Sequence, residues 1–332
     1  MLLLTMCLFA TPPPSGMVWV PGGSFTMGSD HRAARVDEQP PHRVQVDGFW
    51  MDETEVTNAQ FRAFVDATRY VTTAQRPIVW AELAAQLPPG TPKPPDDQLV
   101  PGSAVFTPPS EAVNRTQYLQ WWRWVPKANW QQPEGPDSTL EGRDNYPVVH
   151  VSWDDAMAYA SWAGKQLPTE AQWERAARID HDGAIYAWGE RLLPDDVHQA
   201  NIWQGEFPYS NTAKDGHTTA APVKSYPPNS LGLYELCGNV WEWTADLYRP
   251  DTHRRRNGNA TACSNPSGPE TAFDPRTPHA SMVRVQKGGS FLCHDSYCTS
   301  YRPSARMAAT PDSTLNHTGF RCIMVAPAPT TD

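Results

Sequence analysis

Prolines and glycines interrupt this chain so often that no long helix or strand can form in it. There are 34 Pro and 21 Gly among 332 residues. Proline removes a backbone donor and fixes φ, and glycine lets the chain turn where other residues are strained. Yet 14 Trp and an apolar share of 39% supply a core, and the Pro and Gly content stays below that of low-complexity disorder. The expectation is a globular domain of short elements joined by long ordered loops. The net charge of −9 comes without an extended basic surface able to follow a phosphate backbone, so nucleic acid is excluded as a partner. The only basic run, His253 to Arg256, reads as a solvated loop.

Local signals place several elements. Met17 to Pro21 reads as a strand, followed by Gly22-Gly23-Ser24-Phe25. The same four residues recur at Gly288 to Phe291 after alternating valines, which suggests two similar strand-turn units and neighbouring ends of the domain. His42 to Met51 alternates like one half-buried strand. Thr57 is a fitting N-cap for a helix over Asn58 to Thr68, with Phe61, Phe64 and Val65 facing inward. Residues 76–114 read as a long loop, and Val148 to Trp153 as a strand. A helix over Asp154 to Ala163 is expected to turn Met157, Ala160 and Trp162 to the core. Thr169 with Gln172 forms a capping box for a helix from Glu170 to about Ile179.

The chemistry concentrates between Arg284 and Cys322. Six cysteines, Cys7, Cys237, Cys263, Cys293, Cys298 and Cys322, are too sparse to form a disulfide framework. Cys237 reads as a buried hydrophobe. Cys293 and Cys298 differ, because two thiols so close must bond, bind a metal or react. Upstream, Asn201 to Phe207, Asp215 and Glu235 to Glu242 are rich in oxygen donors, as hard cations require, although polar loops bonded to their own backbone fit as well. A zinc site on His317 and Cys322 has irregular spacing. The apolar start, MLLLTMCLFATPPPSGM, is too short to span a membrane, and is either a signal-peptide remnant or a disordered segment. The sequons at Asn114, Asn259 and Asn316 carry little information.

Leu167 to Glu174, Gly238 to Trp243, Lys287 to Phe291 and Gly319 to Cys322 together resemble the sulfatase-modifying-factor superfamily. Within it, Asn129-Trp130 with Pro133 to Thr139, Asn201 to Pro208 and Cys293 to Cys298 are similar to the formylglycine-generating enzymes. The resemblance runs over residues 17–327, leaving 1–16 as a start segment and 328–332 as a tail. It implies a single α+β domain of the C-type-lectin-like kind, low in regular secondary structure. It implies an oxidase using Cu(I) and O₂ to convert a cysteine in an extended sulfatase polypeptide, in a Cys-x-Pro-x-Arg motif, to formylglycine. Cys293 and Cys298 would ligate copper, a soft ion suited to thiolates. Ser290 would act beside substrate and oxygen, Tyr297 and Trp241 would line the pocket, and for His294 a pocket role and a loop role both fit.

The resemblance further implies two Ca²⁺ sites, one from Asn201, the Ile202 carbonyl, Asp215 and the His217 carbonyl. The other comprises Glu235, the carbonyls of Gly238 and Val240, and Glu242. His217 and Glu235 depart in type from the family pattern, but both retain an oxygen donor. Ala177 and Pro303 stand where animal members carry disulfide cysteines, so Cys322 is expected to be a free thiol. A cytoplasmic monomer is expected, with export the alternative if the apolar start belongs to a signal. Two other readings stand beside the oxidase: a non-catalytic lectin-like binding module, for which no thiol pair is needed, and an iron enzyme joining sulfur to histidine-type substrates, for which this chain lacks a helical domain.

Overall fold

The structure is a computed structural model, and it describes residues 13–257, 263–280 and 282–325. The first twelve residues with Cys7, the sequon at Asn259 and the tail 328–332 lie outside the described residues. In chain order the strands are β1 (Met17–Val20), β2 (Gly23–Met27), β3 (His42–Val46), β4 (Phe49–Asp52), β5 (Gly102–Phe106) and β6 (Trp122–Pro126). They continue as β7 (Gly205–Glu206), β8 (Ser210–Asn211), β9 (Trp241–Leu247), β10 (Cys263–Ser264), β11 (Arg284–Lys287), β12 (Met307–Ala309), β13 (Thr318–Gly319) and β14 (Ile323–Met324). The helices are α1 (Asn58–Thr68), α2 (Trp80–Ala84), α3 (Trp153–Trp162), α4 (Glu170–Ala177) and α5 (Thr252–Asn257). This is a mixed α/β domain with modest regular structure, as composition implied. Among the described residues no helix is long and apolar enough to cross a membrane.

β1 and β14 flank β4, with Val18 and Ile323 both opposite Met51, so the two ends of the domain meet across one strand. The recurring GGSF does not make two like units, however. The first copy enters β2, whereas the second leaves β11 in a turn. The run from His42 to Met51 is two strands, because Asp47-Gly48 breaks the ladder and the halves join different sheets. Gly48 is needed there, since a Cβ would lie 2.2 Å from the Trp19 ring. Residues 76–114 contain α2 and β5, and β5 pairs antiparallel with β6. Val148 to Trp153 is not a strand. Val148 N bonds Val56 O at 2.9 Å and His150 N bonds Leu315 O at 3.0 Å, two different neighbours, so no ladder forms.

Both expected caps are present. Thr57 and Gln60, and Thr169 and Gln172, exchange side-chain bonds with each other's backbone amides. α4 ends at Ala177, short of Ile179, where the Arg178 guanidinium turns to Glu174, Ala184 and Gly28. α3 buries Ala156, Tyr159 and Ala160, but Met157 and Trp162 are 36% and 45% exposed. At about 100° per residue, those two sit roughly a third of a turn to either side of the buried stripe. His253 to Arg256 is likewise no loop: it forms most of α5, and His253 is buried against Gly28 and His42.

The sheet β12-β11-β9-β13 positions the site. Trp241 opens β9, Ser290 follows the end of β11, Met307 opens β12 and His317 immediately precedes β13. Carboxylates of α4 clamp this end of the sheet. Glu174 holds Lys287 Nζ at 3.1 Å, and Glu170 takes Arg306 Nε and Nη2 at 2.8 Å each. Glu38 grips Arg302 through two bonds of 2.7 Å. Between these anchors the chain turns at Gly288 and Gly289, with φ of +90° and +73°. A Cβ on Gly289 would lie 2.8 Å from the Ser300 carbonyl carbon, so only glycine fits where this turn presses on the returning loop.

Candidate functional site

The turn after β11 delivers Ser290 and then Cys293, whose amide bonds Ser290 O at 2.9 Å. The following turn closes with Cys298 N on His294 O at 2.7 Å. These two turns bring the Sγ atoms of Cys293 and Cys298 to 2.7 Å, and both cysteines are free. Their environments differ. Cys293 is buried, and burial pushes its thiol well above the usual range. Cys298 is half-buried, and its thiol is lowered to about 7. The hydrogen bond from Cys293 is the main cause, overcoming desolvation, with help from Ser300 and from the charge of Arg35. Arg35 is fixed there by a 3.2 Å bond to Ser300 Oγ.

The pair opens into a cavity of about 600 Å³, walled also by Ser290, Trp241, Tyr297 and His317. Ser290 Oγ lies 3.0 Å from His317 Nδ1 and accepts the Leu292 amide at 3.3 Å. Burial lowers His317 to about 3, so its ring is neutral. Trp241 is buried, held by its amide on His317 O at 2.8 Å. Tyr297 is 44% exposed at the mouth, stacked on Phe207 with centroids 4.6 Å apart. His294 Nδ1 bonds Ser296 Oγ at 2.8 Å within its own turn, and its ring is not part of the cavity wall. His317 and Cys322 do not meet: Cys322 packs in the core with Phe61 and Tyr159. His317 entered the sequence reading only as a zinc ligand with Cys322, and Arg35 and Ser300 entered no sequence-based site. Arg35 and Ser300 are 265 residues apart, and no local pattern could have joined them.

The oxygen-rich loops form two further clusters. Asn201 Oδ1 is buried with no hydrogen-bond partner. Nearby, Asp215 accepts the Ile202 amide at 3.1 Å and the His217 amide at 3.1 Å, and Gln204 Nε2 lies against both Asp215 Oδ2 and Ile202 O. A donor group thus fills the place between these oxygens, and a hard cation suits the orphaned Asn201 oxygen. In the second cluster Glu235 accepts the amides of Lys224 and Tyr226 at 2.9 and 3.1 Å. Glu242 is gripped by Arg321 through two 2.8 Å bonds. Glu55, absent from the sequence reading, adds a third carboxylate, with Oε2 buried and unpartnered. Burial first, then repulsion from Glu235, raises its carboxyl well above the usual range. Three carboxylates thus face one guanidinium, a charge balance that suits a cation. Among the described residues no three His, Cys, Asp or Glu side chains converge as a metal-holding group.

A family model described as the Sulfatase-modifying factor enzyme 1-like domain matches residues 8–326. The formylglycine-generating enzyme of Thermomonospora curvata is 47% identical over 310 residues, 92% of each chain. That of Bos taurus is 43% identical, covering 93% of this chain and 75% of its own. A Mus musculus protein named inactive C-alpha-formylglycine-generating enzyme 2 is 37% identical, covering 95% of this chain and 88% of its own. Among solved structures, PvdO from Pseudomonas aeruginosa shares the fold, with a TM-score of 0.57 at 22% identity over 93% of each chain. The chain belongs, over nearly its whole length, to the sulfatase-modifying factor enzyme 1-like family.

Proposed function

We propose that this protein is a formylglycine-generating enzyme that activates sulfatases by oxidising a cysteine of a Cys-x-Pro-x-Arg segment to an aldehyde. The observation that carries the reading is the pair of free thiols 2.7 Å apart on the wall of an open cavity, one of them lowered to about 7. The names of its relatives favour it, although one similar protein is named inactive. Family membership therefore leaves activity open, and the thiol pair carries it.

The donor set of Cys293 and Cys298 fits Cu(I), a soft ion that two thiolates hold well. When bound, copper would supply a site for the substrate thiolate and for one-electron chemistry with O₂. The substrate loses two hydrogens from its Cβ–SH unit, O₂ takes up the two electrons and two protons, and water then replaces sulfur, releasing hydrogen sulfide. The chain's own part is to bind and orient. Ser290, tied to His317, holds a hydroxyl at the cavity wall, Trp241 keeps the back dry for oxygen, and Tyr297 with Phe207 offers a flat apolar surface at the mouth. Asn201, Ile202, Asp215 and His217 would hold one Ca²⁺, and Glu235, Gly238, Val240 and Glu242 another, each bracing loops beside the site.

The test is a peptide assay. Protein loaded with Cu(I) is incubated under air with a Cys-x-Pro-x-Arg peptide, beside Cys293→Ala and Cys298→Ala, and aldehyde is followed by mass and hydrazine capture. Aldehyde that requires copper, oxygen and both thiols is expected. A folded, copper-loaded protein that makes none is instead a non-catalytic binding module.

A further inference from the structure

A second cavity, of about 320 Å³, lies behind the aromatic wall of the thiol cavity. Phe106 and Trp203 face it, and both pack on Phe207 with ring centroids 6.0 and 5.3 Å apart. Phe207 in turn walls the thiol cavity, yet the two spaces share no lining residue. Pro133, Val149 and Phe291 extend the apolar lining. The volume is at the lower end of the range for small-molecule sites, which combine apolar walls with a few placed polar groups.

Two such groups are present. Asn58 Oδ1 and Trp203 Nε1 belong to residues of this wall, are buried, and have no partner among the described residues. Asn58 and Trp203 are each only 3% exposed. The orientation of the Asn58 amide is fixed, because its Nδ2 donates to Arg143 O at 2.8 Å. A carbonyl can only accept, so the free end of Asn58 is its oxygen, an acceptor; the free indole N–H of Trp203 can only donate. Backbone bonds hold both residues in place, Asn58 N on Tyr146 O at 2.9 Å and Trp203 N on Cys293 O at 3.0 Å. The two charged residues of the wall, Arg143 and Glu134, pair with each other at 2.7 Å. The cavity therefore offers one donor, one acceptor and no net charge.

We propose that this cavity binds a small neutral aromatic molecule bearing a carboxamide or lactam, its carbonyl accepting from Trp203 and its N–H donating to Asn58. A wholly apolar ligand would leave both protein atoms unpaired, which is costly for buried groups. A carboxylate would be buried beside the Asn58 oxygen with no free cation to offset it. An amide answers both atoms with one planar group, and its ring lies along Trp203 and Phe291. The site is independent of the oxidase reading, since binding there needs neither thiol nor metal.

The probe is 4-fluorobenzamide, titrated against the whole protein by ¹⁹F NMR, with 4-fluorotoluene as the apolar control. A Kd of about 1 mM or tighter is expected for the amide, and binding at least about 10-fold weaker for the control. In protein labelled with ¹⁵N-tryptophan, the Trp203 indole signal, assigned by its loss in Trp203→Phe, should shift on titration. The signals of Trp121 and Trp241, which wall the thiol cavity, should stay in place. Trp203→Phe and Asn58→Ala should each weaken the amide by about 5- to 10-fold, the worth of one hydrogen bond, and leave the control unweakened. No binding at about 10 mM, equal binding of the control, or a Trp203 indole signal that stays fixed while the probe binds overturns the proposal. So does unchanged amide affinity in both variants. Thermal unfolding checks each variant, and if neither folds, the wild-type selectivity and the indole shift decide.

Discussion

Ser290 Oγ sits 3.0 Å from His317 Nδ1, a bond that ties the turn after β11 to the residue preceding β13. With His317 neutral, its Nδ1 accepts the hydroxyl proton when the ring carries its own on Nε2, and the serine is then oriented. Losing one such bond costs about 1–3 kcal/mol. His317→Ala is therefore expected to lower kcat by roughly 10-fold with little change in KM, and His317→Asn, which keeps a polar group there, to recover most of it. Because His317 titrates near 3, the rate–pH profile should show no inflection from it between pH 5 and 8. Such an inflection, lost in the variant, would count against this account.

The unequal thiols predict unequal reactivity in the metal-free protein. Thiolate is the nucleophile, and a thiol lowered to about 7 is half ionised at neutral pH. Iodoacetamide should label Cys298 first, at a rate rising through about pH 7, while Cys293 is spared. Ser300→Ala removes a bond that stabilises the thiolate, so the rate curve should move to higher pH. Peptide mapping by mass spectrometry reads both, and equal labelling of the two cysteines would contradict the asymmetry.

His150 links pH to stability. Its ring is buried between Ser103 Oγ at 2.6 Å and Pro133 O at 2.8 Å, and burial lowers it to about 4. The folded state binds fewer protons than the unfolded chain between the folded value near 4 and the ordinary value near 6.5, so this group destabilises the fold as pH falls through that window. Fully developed, the loss is about 3 kcal/mol. Asp246, raised to about 6, acts with the opposite sign between its ordinary value and 6, which makes the comparison with His150→Gln the informative one. The variant should lose less stability than the wild type between pH 6.5 and 4.5 in urea titrations, whatever its stability at neutral pH.

Removing a bound hard cation should loosen the loops around Asn201 and Glu235. At 100 times its Kd, a ligand that binds only the folded state contributes about 2.7 kcal/mol, or a Tm shift of roughly 5 °C for a domain of this size. With two such sites, calcium is expected to raise Tm by about twice this amount over chelated protein. Asn201→Ala should abolish part of the rise, and Glu55→Gln another part, since it removes one of three facing carboxylates. A Tm indifferent to calcium would refute both sites.

Much of the domain was legible locally. The caps at Thr57 and Thr169 require only a hydroxyl and a glutamine three residues on, so they could be placed without knowing the fold. The spacing of Cys293 and Cys298 likewise marked the site. Reading failed where a neighbour from elsewhere decides the outcome. Met157 and Trp162 are apolar and helical, but the side of α3 that is covered depends on what packs there, and Tyr159 fills that position among Phe61 and Phe320. Glu55 lies in a stretch with no motif that would mark it.

By itself, then, the sequence determined the short elements, the turn at Gly288-Gly289 and the presence of two neighbouring thiols, because each depends on residues a few positions apart. Only the tertiary structure decided which thiol is reactive. Cys298 is lowered to about 7 by Cys293 and Ser300 in its own loop and by Arg35 from the far end of the chain, and Cys293 is raised by the core packed over it. Ionisation responds to charge and burial through space, whatever the separation along the chain.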